Sequence, residues 1–330
     1  MKGMGTEVLV LGGGPDAERE VSLWSSKAVA EHLQSLGRFR VRYEVIGRLT
    51  AQELKALPGE VIFPVLHGGW GEGGPLQDLL EADGRGFVGS GPRAARTAMD
   101  KMATKMAAAR AGIPTAEAAI FNPADPGSPI PAPMVIKPIH EGSSVGVHFV
   151  RTSADLPRVR QAVLEDQAKH PGRVYMIEQA ILGGRELTVG VLDDQLLAPI
   201  EIIPAVAFYD YAAKYTSDDT KYQVAPKLPP GVTEQIQQSA ARLCREIGVR
   251  HLARVDFILD KQGQPWLLEV NTMPGFTSHS LLPMAAKHAG LSFAELCARL
   301  VELAQRDHRS IGLPPDALRH QAQSKGRVAS

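Results

Sequence analysis

Charge of one sign is what this sequence lacks most plainly: Lys plus Arg and Asp plus Glu stand at 36 each, a formal net charge of zero. No global field draws such a chain to nucleic acid or to an anionic membrane, so any charge-dependent function must be local. Cysteine is scarce as well. Cys244 and Cys297 lie far apart without a C-x-x-C spacing, which excludes a disulfide scaffold and a cysteine-based redox or zinc site. Both are expected as buried free thiols. Long apolar runs are missing too: the run before the glycines of "MKGMGTEVLVLGGG" is too short for the core of a signal peptide and far too short to span a bilayer, so a cytoplasmic protein is expected. No G-x-x-x-x-G-K-[ST] occurs, which excludes a P-loop as phosphate holder. What remains is a chain of 330 residues with 44% hydrophobic content, that of an ordinary globular protein with two or three domains.

Short apolar runs alternate with helical patterns over residues 6–97: "VLVL", a helix carrying Val29, Leu33 and Leu36, then "RYEVI", "EVIFPVL", "PLQDLLEA" and "GFVGS". This predicts an α/β class fold whose N-terminal unit, residues 1–97, has a mostly parallel sheet. A helix from about Ala94 to Ala111, closed by Gly112 and Pro114, leads into a second unit over residues 98–180. There "MVIK", a glycine-serine loop, "VGVHFV", a helix over about 153–169 and "VYMIEQ" follow one another. Hairpins dominate a third unit, residues 181–305, which begins with "ELTVGVL" turning at Asp193-Asp194. Residues 306–330 are polar and aperiodic and are expected as a frayed tail.

Two strand-like runs in "ARVDFILDKQGQPWLLEVN" flank a hairpin loop. A turn centred between Gln262 and Gly263 sets Asp256 opposite Glu269 and Arg254 opposite Asn271, all on one face, and gives Val255, Phe257, Leu259, Leu268 and Val270 to the core face. Two neighbouring carboxylates repel unless a cation compensates them. Mg²⁺ suits this donor set, because it prefers hard oxygen ligands and shares them with substrate phosphates. The bland alternative is that Arg254 neutralises Asp256 while Glu269 sits on a solvated edge. Asn271, at the pitch for a second ion, and the "TMPG" turn, whose Gly275 N–H can face an oxyanion, favour the metal reading.

Lys137 ends an apolar strand before the loop containing Gly142, Ser143, Ser144 and Gly146, which can fold over phosphates; Lys101 is a second candidate phosphate lysine. Glu178 at a hinge and Glu186 after a Gly-Gly turn are candidate contacts for adenine and ribose. A competing signal is "LGGGPDA", in which Gly12, Gly14 and Ala17 fit a dinucleotide fingerprint. Pro15 disturbs that turn, and Glu44 comes too late and mid-strand to serve as its acidic residue.

In chain order, "GGGPDAEREVS", "LHGGWGEGGPLQ", "MDK", "VIKPIHEGSSVGV", "FYDYAAKY", "ARVDF" and "LLEVNTMPGFTSHSLLPMAA" resemble a D-alanyl-D-alanine ligase of the ATP-grasp superfamily, over roughly residues 6–305. The resemblance implies a three-domain ATP-grasp architecture, α+β in its ATP-binding part. It also implies ATP-dependent joining of two D-alanines through an acyl phosphate, in the synthesis of peptidoglycan precursors. Carried over residue by residue, it implies Asp256, Glu269 and Asn271 as ligands of two Mg²⁺ ions, with Mn²⁺ as a substitute. Lys101, Lys137, Ser144, Glu178, Glu186 and Lys214 become ATP contacts, while Glu18, His67, Ser280 and Leu281 bind substrate. Arg254 and Gly275 form the oxyanion hole, and Ser143 with Tyr215 link Glu18 to a closing loop, Tyr215 favouring an amine acceptor. A homodimer through the N-terminal domain is also implied, with neither nucleic acid nor membrane as partner.

The chain departs from that pattern in two places. The family usually reads Gly-Glu-Asp-Gly where Gly71, Glu72, Gly73 and Gly74 stand, which predicts a looser helix cap. A hinge lysine and aromatic are replaced by Gln179 and Ala180, which predicts weaker adenine packing. Rival readings are a ligase for another acceptor such as D-serine or D-lactate, an NAD(P)-linked oxidoreductase built on "LGGGPDA", and a nucleotide-binding regulator without turnover. The oxidoreductase leaves Asp256, Glu269 and Asn271 unexplained, and the regulator predicts loss of a metal ligand, which is not seen.

Overall fold

A computed structural model describes residues 5–142, 145–204 and 220–311, with side chains to 308. The described strands form three sheets, each with its own role in positioning the site.

The first sheet holds β1 (Thr6–Gly13), β2 (Phe39–Ile46), β3 (Val61–Pro64) and β4 (Gly86–Phe87) in the order β2-β1-β3-β4, all parallel. Alternation along β1 sends Val8 and Val10 to one face and Leu9 and Leu11 to the other, and both faces are covered. Leu9 and Leu11 meet α2 (Ala51–Ala56), α3 (Gly68–Gly71) and α4 (Pro75–Asp83) through Leu54, Trp70, Leu76 and Leu80. Val8 and Val10 meet α1 (Arg19–Ser35) through Val29 and Leu33.

The second sheet is antiparallel, in the order β5-β8-β6-β7, from β5 (Ala118–Phe121), β6 (Met134–Pro138), β7 (His148–Val150) and β8 (Tyr175–Gln179). Helix α7 (Leu156–Lys169) covers one face through Val159 and Val163. Two short helices precede it. The single helix expected over Ala94–Ala111 is broken into α5 (Pro92–Met99) and α6 (Lys101–Arg110), because Asp100 leaves the helical conformation and its carboxylate accepts the Ala103 N–H at 2.9 Å. That cap sets the start of α6 at Lys101.

The third sheet contains β9 (Arg185–Leu192), β10 (Gln195–Leu196), β11 (Ile200–Ile203), β12 (Lys221–Val224), β13 (Leu252–Leu259) and β14 (Pro265–Asn271), with order β12-β11-β9-β13-β14 and β10 on β9. Its core face packs on α8 (Val232–Ile247) and on α6. The chain then returns to the first sheet. Helices α9 (Leu281–His288) and α10 (Phe293–Ile311) place Leu282, Leu296, Leu300 and Val301 against Val8, Val10 and Phe63. Residues 1–97 therefore do not close their own core, which is completed from the far end of the chain.

Of the tail expected over residues 306–330, the stretch to Ile311 instead continues α10, with Arg306 and Asp307 tied down, and residues 312–330 lie outside the described residues. Arg306 donates to both Asp193 carboxylate oxygens, and Asp307 meets the His251 ring at 3.0 Å. The Arg306 cation on Asp193 and the Asp307 carboxylate on the His251 ring compensate the lack of apolar periodicity there. Among the described residues no helix is long and apolar enough to cross a membrane.

Candidate functional site

Two cavities meet at the acidic face of the β13–β14 hairpin. The larger, about 470 Å³, lies between the second and third sheets and is lined by Lys101, Lys137, Glu178, Glu186, Asp256 and Glu269. The smaller, about 310 Å³, lies against the first sheet's carboxyl end and is lined by Glu18, His67, Glu72, Arg254, Gly275 and Ser280, with Asn271 and Leu281 also on its wall. Between them a gap of about 40 Å³ is shared by Glu18, Lys101, Glu269 and Asn271. The described candidates are thus brought together around one continuous cleft. Ser143, Ser144, Lys214 and Tyr215 lie outside the described residues.

The hairpin has the expected pairs at its inner end, Arg254 with Asn271 and Asp256 with Glu269. Toward the turn the register shifts, and Phe257 faces Leu267, so Leu268 is an extra residue in a bulge. This corrects the expected core face: Leu267 is buried at 1% exposure in the core, while Leu268 lines the larger cavity beside Glu269. The acidic pair is held by protein groups on either side. Thr188 donates to Asp256 at 2.6 Å, and the Arg254 guanidinium reaches the same carboxylate at 2.9 Å from two residues along the strand. Lys101 lies 3.7 Å from Glu269 and also donates to the Glu141 carbonyl. Arg254 does neutralise Asp256, as the bland alternative held, yet Glu269 faces a cleft and not an open edge.

The donor set of Asp256, Glu269 and Asn271 is two carboxylates and one amide oxygen on adjacent strands, hard oxygen chemistry that fits Mg²⁺ or Mn²⁺ completed by phosphate oxygens. Among the described residues no group of three or more His, Cys, Asp or Glu side chains forms a metal cluster.

On the nucleotide-sized side, Glu178 is buried and its carboxylate is engaged by two lysines, Lys137 at one oxygen and Lys105 at the other, at 2.5 and 2.9 Å. Burial pushes this carboxyl upward, but the two ammonium groups outweigh it and hold it below its usual range. The Gln179 side chain donates to the Pro133 carbonyl at 2.7 Å, so this hinge substitution anchors the strand instead of adding a charge. Lys105 escaped sequence reasoning. Its signal was spacing, since four residues after Lys101 it falls on the same helix face.

In the smaller cavity His67 is buried, with Nδ1 donating to the Met273 carbonyl at 3.1 Å. Burial lowers its pKa and keeps the ring neutral, which leaves Nε2 as an acceptor without a partner among the described residues. Glu72, also missed from sequence, has its pKa raised well above the usual carboxylate range by burial and then by nearby Glu18. Its Oε1 accepts the Gly68 N–H at 3.1 Å. The cap of α4 is not loose: Gln77 accepts the Gly74 N–H at 3.0 Å and donates to the Gly71 carbonyl at 2.9 Å. An aspartate at position 73 has no room, since a Cβ there would stand 2.3 Å from the Gly69 carbonyl oxygen. Ser280 begins α9, its hydroxyl accepting the Thr277 N–H at 3.0 Å, with the Leu281 N–H opening the helix behind it.

The glycine-rich turn after β1 has other business. Gly13 N–H donates to Ser22 at 2.9 Å, Gly14 N–H donates to the Ile46 carbonyl at 2.9 Å, and Arg19 fills the turn by donating to the Gly14 and Ile46 carbonyls. Amides that a pyrophosphate would need are already spent, which removes the physical basis of the oxidoreductase reading.

Comparison with known proteins gives the same direction. Residues 122–302 match the family described as "D-ala D-ala ligase C-terminus". A D-alanine–D-alanine ligase of Anaeromyxobacter dehalogenans (strain 2CP-1) is 42% identical over 309 residues, covering 90% of this chain and 96% of that protein. One from Bordetella avium is 42% identical over 307 residues, covering 89% and 93%. The solved VanG D-Ala:D-Ser ligase from Enterococcus faecalis superposes with a TM-score of 0.78 at 26% identity, covering 91% of this chain and 99% of that one. With the family match spanning more than half of its length and relatives of this identity aligned along nine-tenths of it, the chain belongs to the D-alanine–D-alanine ligase family.

Proposed function

We propose that this protein uses ATP to join two D-alanines into D-alanyl-D-alanine, a peptidoglycan precursor. The observation that carries the reading is the meeting of a nucleotide-sized cavity and a smaller polar cavity at Glu269 and Asn271, across a gap no larger than the reacting groups require.

In this reading ATP lies in the larger cavity, with Lys101 and Lys137 at its phosphates and Glu178 and Glu186 toward the nucleoside. Asp256, Glu269 and Asn271 would hold two Mg²⁺ ions, which supply neutralisation of phosphate charge when bound. Glu18 holds the ammonium of the first D-alanine, whose carboxylate takes the γ-phosphoryl group to form an acyl phosphate and ADP. Ser280 and the Leu281 N–H hold the carboxylate of the second, whose neutral amine attacks the acyl carbon. The tetrahedral oxyanion is met by Arg254 and the Gly275 N–H, and collapse expels phosphate and leaves the peptide bond. Neutral His67 offers a hydrogen-bond acceptor in the same cavity. In the same proposal Ser144 and Lys214 are further ATP contacts, and Ser143 with Tyr215 links Glu18 to the loop that keeps water from the acyl phosphate. The active unit is a homodimer through the N-terminal domain, working in the cytoplasm.

Phosphate release from Mg²⁺ and ATP, measured with each amino acid separately, tests the reaction. Release that depends on D-alanine, with a D-alanyl-D-alanine product, is expected; release that requires D-serine or D-lactate as acceptor would transfer the chain to those ligases. Glu269→Gln should lower the rate by about 100-fold or more, and near wild-type turnover would remove Glu269 from the metal set.

A further inference from the structure

Lys105 stands behind the nucleotide cavity, not in it. The cavity wall includes Lys101 and Lys137 but not Lys105, whose ammonium donates to the Thr115 hydroxyl at 2.7 Å and to the Ala116 carbonyl at 3.0 Å, and pairs with Glu178 at 2.9 Å. Glu178 carries Lys137 on its other oxygen, and all three residues are at most 8% exposed. Thr115 in turn donates to the Leu267 carbonyl, next to the bulge that brings Leu268 into the cavity wall. The cluster has two cations and one anion, so one positive charge is left over, and it reaches the cavity through Lys137.

The arrangement answers a problem that an anionic ligand creates. When Lys137 turns toward a phosphate it must leave or share Glu178, and a buried carboxylate without a cation is strongly disfavoured. We propose that Lys105 is a positioning residue that keeps Glu178 neutralised while Lys137 is given over to the nucleotide's phosphates, so that the affinity for ATP depends on a lysine that does not touch it. The inference rests on the ATP reading of the larger cavity and extends it. Burial pushes the Lys105 ammonium down and Glu178 holds it up, as expected for a cation whose only anionic neighbour among the described residues is this carboxylate.

The experiment compares ATP affinity by calorimetry, in the full-length chain with Mg²⁺, for the wild type, Lys105→Met, Glu178→Gln and the double variant. Lys105→Met should weaken ATP binding about 10-fold or more and leave the KM for D-alanine within about 2-fold. In the Glu178→Gln background the same substitution should cost less than about 2-fold, since no carboxylate then competes for Lys137. Lys105→Gln keeps a donor for the Thr115 hydroxyl and the Ala116 carbonyl without the charge, and must reproduce the loss even if Lys105→Met folds poorly. An equal loss in both backgrounds would mark Lys105 as a merely structural tie and overturn the proposal. Failure of the wild type to bind ATP would overturn the ATP reading and this role with it, whereas tight wild-type binding with unchanged affinity in Lys105→Gln would overturn this role alone.

Discussion

Glu72 shows at the scale of one residue how burial sets the charge of a site. It lies in the wall of the smaller cavity with Glu18 as neighbour, and its proton is retained because ionisation would place a second negative charge in a buried space. Below the ordinary carboxylate value of 4.5 the group is neutral in folded and unfolded chains alike. Above it the unfolded chain ionises while the folded one keeps its proton, so the folded state binds more protons and loses stability as pH rises through the elevated folded value. Glu72→Gln is expected to remove that loss, because the amide oxygen can still accept the Gly68 N–H. In thermal melts the variant should exceed the wild type by about 2 °C or more near pH 8 and coincide with it near pH 4; a wild type that is the more stable near pH 8 would show Glu72 to be ionised. The cysteines give a contrasting case. Burial pushes the Cys244 thiol up to about 12 and raises that of Cys297 as well, in keeping with the buried free thiols expected of both.

Elements repeat this lesson with geometry in place of charge. The carboxylate pair Asp256 and Glu269 was legible, because strand alternation and a short polar turn constrain the register to within one residue. The bulge was not, since "WLLEV" offers two adjacent leucines and nothing in their chemistry says which one faces the core. The same limit hid the break at Asp100, where good helix formers on both sides disguise a cap that is visible only in the conformation of one residue. Lys105 and Glu72 were missed for a related reason: their partners, Glu178 and Glu18, are 73 and 54 positions distant, and only the tertiary fold brings them together. The bulge can be tested directly. Leu267→Ala should cost about 2–4 kcal/mol of stability, as its side chain is 1% exposed in the core. Leu268→Ala should cost under about 1 kcal/mol while raising the KM for ATP. The reverse ranking in denaturant unfolding would restore the regular hairpin that the sequence pattern alone suggests.

At the scale of the whole molecule, the cleft depends on how the end of the chain is fastened to its beginning. Helix α10 closes the first sheet's core, and its last described turns make a polar latch to the third sheet. The key residue is His251, which has left-handed backbone torsions, φ 63°, that cost about 1 kcal/mol for such a side chain. Its ring offsets that cost by accepting the Gly89 N–H at Nδ1 and, in the tautomer this requires, donating from Nε2 to Asp307, each at 3.0 Å. One side chain thus joins β4's exit, the entry to β13 and α10. The His251 contact, then Arg306, lower the Asp307 pKa from 3.8 to about 2. A depressed carboxyl stabilises the fold fully above its unfolded value, and that contribution is lost as pH falls through about 2. Because Asp307 is partly exposed, solvent screening limits the effect to about 1 kcal/mol. Asp307→Asn should therefore be less stable by about that amount near pH 7 and approach the wild type as both are acidified toward pH 2. An unchanged unfolding midpoint near pH 7 would mean that apolar packing of α10 alone holds the two sides of the cleft in place.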